Sequence, residues 1–426
     1  MTCWMLNTNA MKKTLLIIGF LSTWSAQAQT TIGLDSIYSA IQRGNPSLKY
    51  SDAIVRSLDE ASKGARNWEA PLVSTGLWMT PYNPNLWKRQ TDGTSGMGQY
   101  MVSAEQMIPN KRRQDAEEAY MRGMSSVEKE KKGATLNELY AAAKQHYYQW
   151  MMIKRKLGVL DQGQRLLDFM IKDAELKYKN NLGKISAYYK VKAAMGNLET
   201  TRLKLENEIV QKRILLNTLM NRNKSTLFDV DTNYVVKDLP LSPVDSSFLM
   251  NARSDIKAVD QDIRLAGLQQ QAERARLKPE FGVRFDHMFG FGGVPMQYSL
   301  MGMVRLPMFG WSSRASKANI ESLKWKAESL IQEKARMVNE AEGVSYGLQQ
   351  EILSRRKQLQ VLQEKVIPAL QKNYQTIQLA YEQNTEELFN LYDAWETLNN
   401  TQLDYWDQVQ QLLLMQVELE RILEIK

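Results

Sequence analysis

Beyond residue 30, apolar residues return every seven positions along most of the chain. Leu391, Leu398, Tyr405, Leu412 and Leu419 form one series. Leu136, Ala143, Trp150 and Leu157 form a second, with Leu139, His146, Ile153, Leu160 and Leu167 three places on. Leu323, Leu330, Met337 and Val344 form a third. Sustained heptads predict long helices wound left-handedly about neighbours. His146 falls in such a seam, which predicts a packed or hydrogen-bonded interface residue rather than a ligand.

Two segments break this pattern, from about 71 to 109 and from about 279 to 307. There the period drops to two. Phe281, Val283, Phe285, His287 and Phe289 alternate with Gly282, Arg284, Asp286 and Met288, and Tyr298 to Leu306 alternate likewise. This predicts half-buried strands at about 280–289 and 296–306, turning at Gly290-Phe291-Gly292-Gly293. A noisier pair is expected at about 71–80 and 99–108, around a polar loop from Pro81 to Gly98. Four strands cannot close a barrel, and their edges would be exposed. Their length and alternation suit a bilayer crossing, and three copies would supply twelve strands with no free edge. The competing expectation is a soluble hairpin packed on its own helices.

The flanks leading into the two breaks answer each other at a shift of 208, the spacing of Arg66 from Arg274 and of Pro71 from Pro279. Each break ends in an apolar–proline pair, Ile108-Pro109 and Leu306-Pro307, before a long helix. The layout is therefore a duplicated helix–hairpin–long helix–helix unit over 29–222 and 244–426, joined by a linker at 223–243. A long helix over 110–181 would span roughly 108 Å at about 1.5 Å per residue. Helices at about 185–222 and 35–68 would together match it. The second half repeats this with 310–381 against 253–278 and 385–424. Turns fall near Asn181-Leu182-Gly183 and Asn384.

Composition narrows the classes. The 426 residues are 43% hydrophobic and 24% charged, with one cysteine and two histidines. Mean hydropathy is −0.44. A multi-span helical membrane protein and a disordered chain are excluded. Histidine-based metal sites or triads are not expected. The net charge of +8 is spread along the chain, which argues against a nucleic-acid partner. From Met11, a basic start, a short apolar run and Ala26-Gln27-Ala28 predict a secretory signal peptide, cut after Ala28. The first 28 residues would be removed, taking Cys3 with them, so neither a disulfide nor an acylated cysteine is expected.

The layout and particular residues resemble the TolC-like outer membrane efflux protein family, over nearly all of the mature chain. The most specific stretch is Tyr381-Glu-Gln-Asn384-Thr-Glu-Glu-Leu-Phe-Asn390-Leu-Tyr-Asp393-Ala394. It is similar to the family's second helical turn, Tyr-x-x-Gly, five residues, then Asp-x-x-Asp-Ala. Asn384 stands for the glycine and also tolerates a left-handed backbone. Asn390 stands for the first aspartate and removes one carboxylate of the pair. Leu306-Pro307-Met308-Phe309 with Arg314-Ala315 is similar to the family's exit from its second hairpin. The resemblance implies a mainly α chain with a small transmembrane β part. Three copies would form a 12-stranded β-barrel continued by a 12-helix periplasmic α-barrel.

The implied function is passive export. The homotrimer would sit in outer membrane lipid with a large periplasmic part. It would accept small molecules from an inner membrane transporter through a periplasmic adaptor, with no cofactor. Tyr381, Asp393 and Asn390 become periplasmic gate candidates, against a packing Tyr and an ordinary solvated Asp. Gly183, Asn181 and Asn384 become adaptor-contact candidates, though each is a turn residue first. Trp68, Trp78, Trp87 and Trp311 lie near strand ends, where indoles favour the lipid–water interface. Nine methionines in or beside the hairpins, Met79 to Met308, raise export of Cu(I) or Ag(I), against methionine as a plain apolar strand residue. The first exit segment, Gln106 to Arg112, is similar to the metal-efflux branch of the family. The alternative class is a soluble periplasmic coiled-coil scaffold or adaptor. No phosphate loop, nucleophile motif or metal-ligand cluster points to an enzyme.

Overall fold

Among the described residues helices predominate, interrupted by a four-stranded sheet and a two-residue strand pair. The computed structural model describes residues 31–180, 184–232, 245–307 and 309–425. The expected signal peptide, the turn residues Asn181 and Gly183, Met308, and most of the expected linker (233–244) lie outside the described residues. The helices are α1 (Leu34–Gly44), α2 (Pro46–Lys63), α3 (Lys111–Lys179), α4 (Ile185–Leu219), α5 (Ser246–Ala252), α6 (Ser254–Arg276), α7 (Gly310–Val361), α8 (Ile367–Glu382) and α9 (Leu388–Leu423). The strands are β1 (Thr31–Ile32), β2 (Leu72–Trp78), β3 (Gln99–Ile108), β4 (Asp229–Val230), β5 (Glu280–Gly290) and β6 (Gln297–Arg305).

Three expectations need correction. The helix expected over 35–68 is two helices, α1 and α2. Pro46 lacks an N–H and pushes Asn45 to an extended backbone, and the Asn45 side chain then caps α2 by accepting from Ser47 N at 2.9 Å. The helix expected over 310–381 contains a π-helical segment, Leu362–Val366, between α7 and α8. Pro368 cannot donate back to Glu364, and its ring would crowd that carbonyl, so an inserted wider turn absorbs the mismatch. The strand count is six among the described residues, because β1 and β4 form a two-residue parallel pair. Such a pair is too short for any alternation to announce it.

The chain divides into two compact units. The first draws on residues up to Gly44, Ala142–Asp238 and Arg355–Leu414. Its core joins four helices through Leu160 and Leu167 of α3, Leu198 of α4, Tyr381 of α8, and Leu391 and Trp395 of α9. Near the β1–β4 pair, Trp150 meets Phe228 edge-on at 5.1 Å. His146 is half-buried, with Nδ1 3.5 Å from Gln149 Oε1. Burial, and secondarily Lys212, hold its pKa below the ordinary imidazole value.

The second unit draws on Asn45–Ala141, Leu239–Ser354 and residues from Met415. It holds a four-stranded antiparallel sheet in the order β2-β3-β5-β6. Both hairpins form as the alternation predicts, and β3 pairs with β5 to merge them. Here α6 is capped from a distant part of the chain: Ser254 N and Oγ donate to Glu424 at 2.6 and 2.5 Å. The third heptad series is only partly covered. Leu323 is buried, Leu330 and Met337 are half-buried, and Val344 is exposed. Trp325, Ile331 and Tyr346 on the same helix are exposed too.

Candidate functional site

The turn between α8 and α9 belongs to the first unit. Asn384 takes φ +58°, a left-handed conformation. Asn384 N–H donates to Tyr381 O at 3.0 Å, and the left-handed residue swings Thr385 N–H back to Ala380 O at 2.9 Å. These bonds satisfy the carbonyls orphaned at the end of α8. Tyr381 is buried and its hydroxyl donates to the Asp173 carboxylate of α3. Lys177 pairs with Asp173 at 3.4 Å and lies over the Tyr381 ring, 3.7 Å from its centroid. Burial, then the hydrogen bond and charge of Asp173, push the Tyr381 hydroxyl far above the usual phenol range. It is therefore a neutral donor at any physiological pH, and it ties α8 to α3.

Asn390 is exposed and donates to Glu386 at 2.6 Å. Asp393 presents its carboxylate to solvent on α9, next to the buried Tyr392 and Ala394. Tyr392 donates to Glu396 at 2.8 Å, and the Lys190 ammonium of α4 lies 3.5 Å from the Phe389 ring centroid and 4.6 Å from that of Tyr392. Of the three gate candidates, the structure thus places Tyr381 in a buried contact and leaves Asn390 and Asp393 on the surface. Sequence reasoning missed Asp173, Lys177 and Lys190. No motif marked Asp173. It lies 208 residues before Tyr381 in sequence and meets it only through the packing of α3 on α8.

The sheet of the second unit has two chemically distinct faces. One carries the rows Val73–Ala104–Phe285–Leu300, Thr75–Val102–His287–Tyr298, Leu77–Tyr100–Phe289 and Ile108–Phe281–Val304. Its side chains are uncovered: Phe281 is 59%, Leu300 68% and Val304 53% exposed. The expectation of a hairpin packed on its own helices therefore fails. The other face carries Ser74–Ser103–Asp286–Ser299 and Leu72–Glu105–Arg284–Met301. On it Arg284 donates to Asp286 at 2.8 Å and to Ser103 Oγ at 3.3 Å. At its helix-side end, buried Glu280 accepts from Arg113 at 2.6 Å and Arg305 at 3.2 Å. Both outer strands, β2 and β6, pair on one side only.

The tryptophans sort to the two ends of this sheet. Trp68 precedes β2, and Trp311 follows β6 at the helix side; both are exposed, and Trp311 stacks on Phe309 at 6.0 Å. Trp78 ends β2 at the loop side, where Trp87 stacks on Phe291 at 5.5 Å and donates to Pro81 O at 2.8 Å. The two hairpin loops are bonded together there: Gly96 N–H reaches Gly292 O at 2.9 Å, and Phe291 N–H reaches Gly98 O at 3.0 Å. Gly292, at φ +58°, packs so close that a Cβ would sit 2.5 Å from Trp87 O. Among the described residues, no group of three or more His, Cys, Asp or Glu side chains could hold a metal ion. No described helix is long and apolar enough to cross a membrane.

No protein-family model and no curated protein sequence matches the chain. Solved structures do. The outer-membrane channel OprN matches with a TM-score of 0.74 at 15% identity, over 92% of this chain and 89% of that one. The CusC channel matches with a TM-score of 0.71 at 14% identity, over 95% of each chain. VceC, an outer membrane protein of Vibrio cholerae, matches with a TM-score of 0.72 at 12% identity, over 92% and 95%. Over nearly its whole length the chain thus has the fold of these outer membrane channel proteins. The likeness read from the helical-turn motif holds at that level.

Proposed function

We propose that the chain is one subunit of a passive homotrimeric efflux duct in the outer membrane, with a large periplasmic helical part. The observation that carries this is the sheet. An apolar face open along its length, a polar face behind it and two unpaired edges are unstable in water for a lone sheet. They become favourable when three copies close twelve strands with the apolar rows toward lipid. Ten residues of β3 reach roughly 34 Å, and tilting by about 40° brings this near the ~25 Å apolar band of such barrels. The tryptophans at both ends suit the two interfaces. The uncovered α7 surface suits helix neighbours from another copy. Element order in the two halves supports an internal duplication over 29–222 and 244–426.

A water-filled lumen moves a solute across lipid without desolvating it, so no energy-consuming chemistry is needed. Gating then falls to the helical turns. The Tyr381–Asp173–Lys177 contact is a latch that holds α8 against α3, and Asp393 is free to meet its symmetry copies or a cation. Asn384 and the exposed turn around it, with Gly183 and Asn181, are the surface for a periplasmic adaptor that links the duct to an inner membrane transporter. The methionine content of the hairpins favours a soft metal ion as one cargo. The alternative, a soluble scaffold or adaptor, needs the apolar face covered, and in this chain it is not.

The test is expression with its export signal, followed by fractionation. A detergent-extracted, heat-dissociable trimer that conducts ions in a planar bilayer is expected. A monomer stable in plain buffer would overturn the duct.

A further inference from the structure

The sheet places five strand methionines, and all five fall on one face. Met101 and Met288 are cross-strand neighbours, Met301 lies beside Arg284, and Met107 and Met303 flank Gly282. This is the face of Glu105, Arg284 and Asp286, not that of the phenylalanines. A methionine serving merely as an apolar strand residue belongs with the phenylalanines. One spot is built more closely. A Cβ on Gly282 would lie 2.5 Å from the Met107 sulfur and 3.1 Å from the Met303 methyl. Both thioether side chains thus fold inward from opposite strands over a residue that has no side chain.

We propose that Met107 and Met303, converging over Gly282, form a thioether site for a soft monovalent cation, Ag(I) or Cu(I), on the polar face of the sheet. This rests on the duct reading, in which that face lines the lumen. Thioethers are soft, neutral donors that select such ions over hard cations. They carry no proton to compete, so binding is flat with pH where an imidazole site would weaken in acid. Two donors with no carboxylate ligand hold an ion loosely enough to release it, as a conduction pathway requires. Met101, Met288 and Met301 on the same face offer further single contacts along the strands.

The test uses the full chain in detergent, titrated with Ag(I) by calorimetry at pH 5.5 and 7.5, with bilayer conductance read on the same preparations. The wild type is expected to bind about one strong Ag(I) per chain equally at both pH values. Met107→Leu with Met303→Leu, which keeps the volume, is expected to weaken that binding at least tenfold and leave conductance intact. Gly282→Ala keeps both sulfurs but displaces the flexible Met107 end, and is expected to weaken binding similarly. Met296→Leu, outside the strands, is the unchanged control. A conducting wild type whose silver binding survives these variants, or falls away at pH 5.5, overturns the site and leaves the duct standing. A wild type that neither trimerises nor conducts overturns the duct and this role with it.

Discussion

At the scale of single residues, two side chains carry testable consequences. Tyr381 donates to a carboxylate from a buried position, and a hydrogen bond to a charged group contributes about 1.5–3 kcal/mol. Tyr381→Phe should keep the fold but raise the population of the untied turn about ten- to a hundred-fold. Higher open probability in a planar bilayer is the readout; an unchanged open probability would remove Tyr381 from the gate. His146 gives a pH dependence with a definite sign. Its folded pKa lies below the ordinary 6.5 because burial disfavours the imidazolium. Between those two values the unfolded chain binds the extra proton, so stability falls as pH drops below about 6.5. Denaturant midpoints at pH 7.5 and 5.5 should differ in that direction, and His146→Gln should shrink the difference. The seam position of His146 was legible from the heptads. The Tyr381–Asp173 bond was not, because periodicity gives a face and never the partner on it.

Elements were read well wherever a period persisted and poorly where one residue broke it. All four sheet strands and the 69-residue α3 follow their patterns to within a few residues. The breaks at Asn45-Pro46 and before Pro368 went unread, although both prolines stood in plain view. A heptad continues across a proline in sequence, but the backbone cannot. The α8–α9 turn supports a prediction at this scale. Asn384 holds a left-handed conformation that costs a side chain with Cβ about 1–2 kcal/mol. Asn384→Gly should slow amide exchange at Thr385, and Asn384→Val should speed it, each by up to about tenfold. Equal exchange in the two variants would mean the turn is held by contacts other than its backbone.

For the whole molecule, the decisive property is the division of the sheet into two faces. Phe285→Arg puts a cation in the middle of the apolar face, where it costs about 2–4 kcal/mol per copy at the bilayer midplane. Loss of the heat-dissociable trimer from the membrane fraction is expected. Ser74→Lys on the opposite face should assemble normally, because its charge meets water. If both variants assembled alike, neither face would be in lipid.

The sequence by itself determined the long helices, the two hairpins, their face alternation and the left-handed turn at Asn384. Each of these is local: a repeat, a glycine or an asparagine constrains its own backbone. Only the tertiary structure decided that β3 joins β5, that the apolar rows of all four strands share one uncovered face, and that Asp173 receives Tyr381. It also decided that the methionines gather with the charges. Those facts depend on which distant segments pair and in what register, and register across strands is fixed by packing that no single stretch of sequence contains.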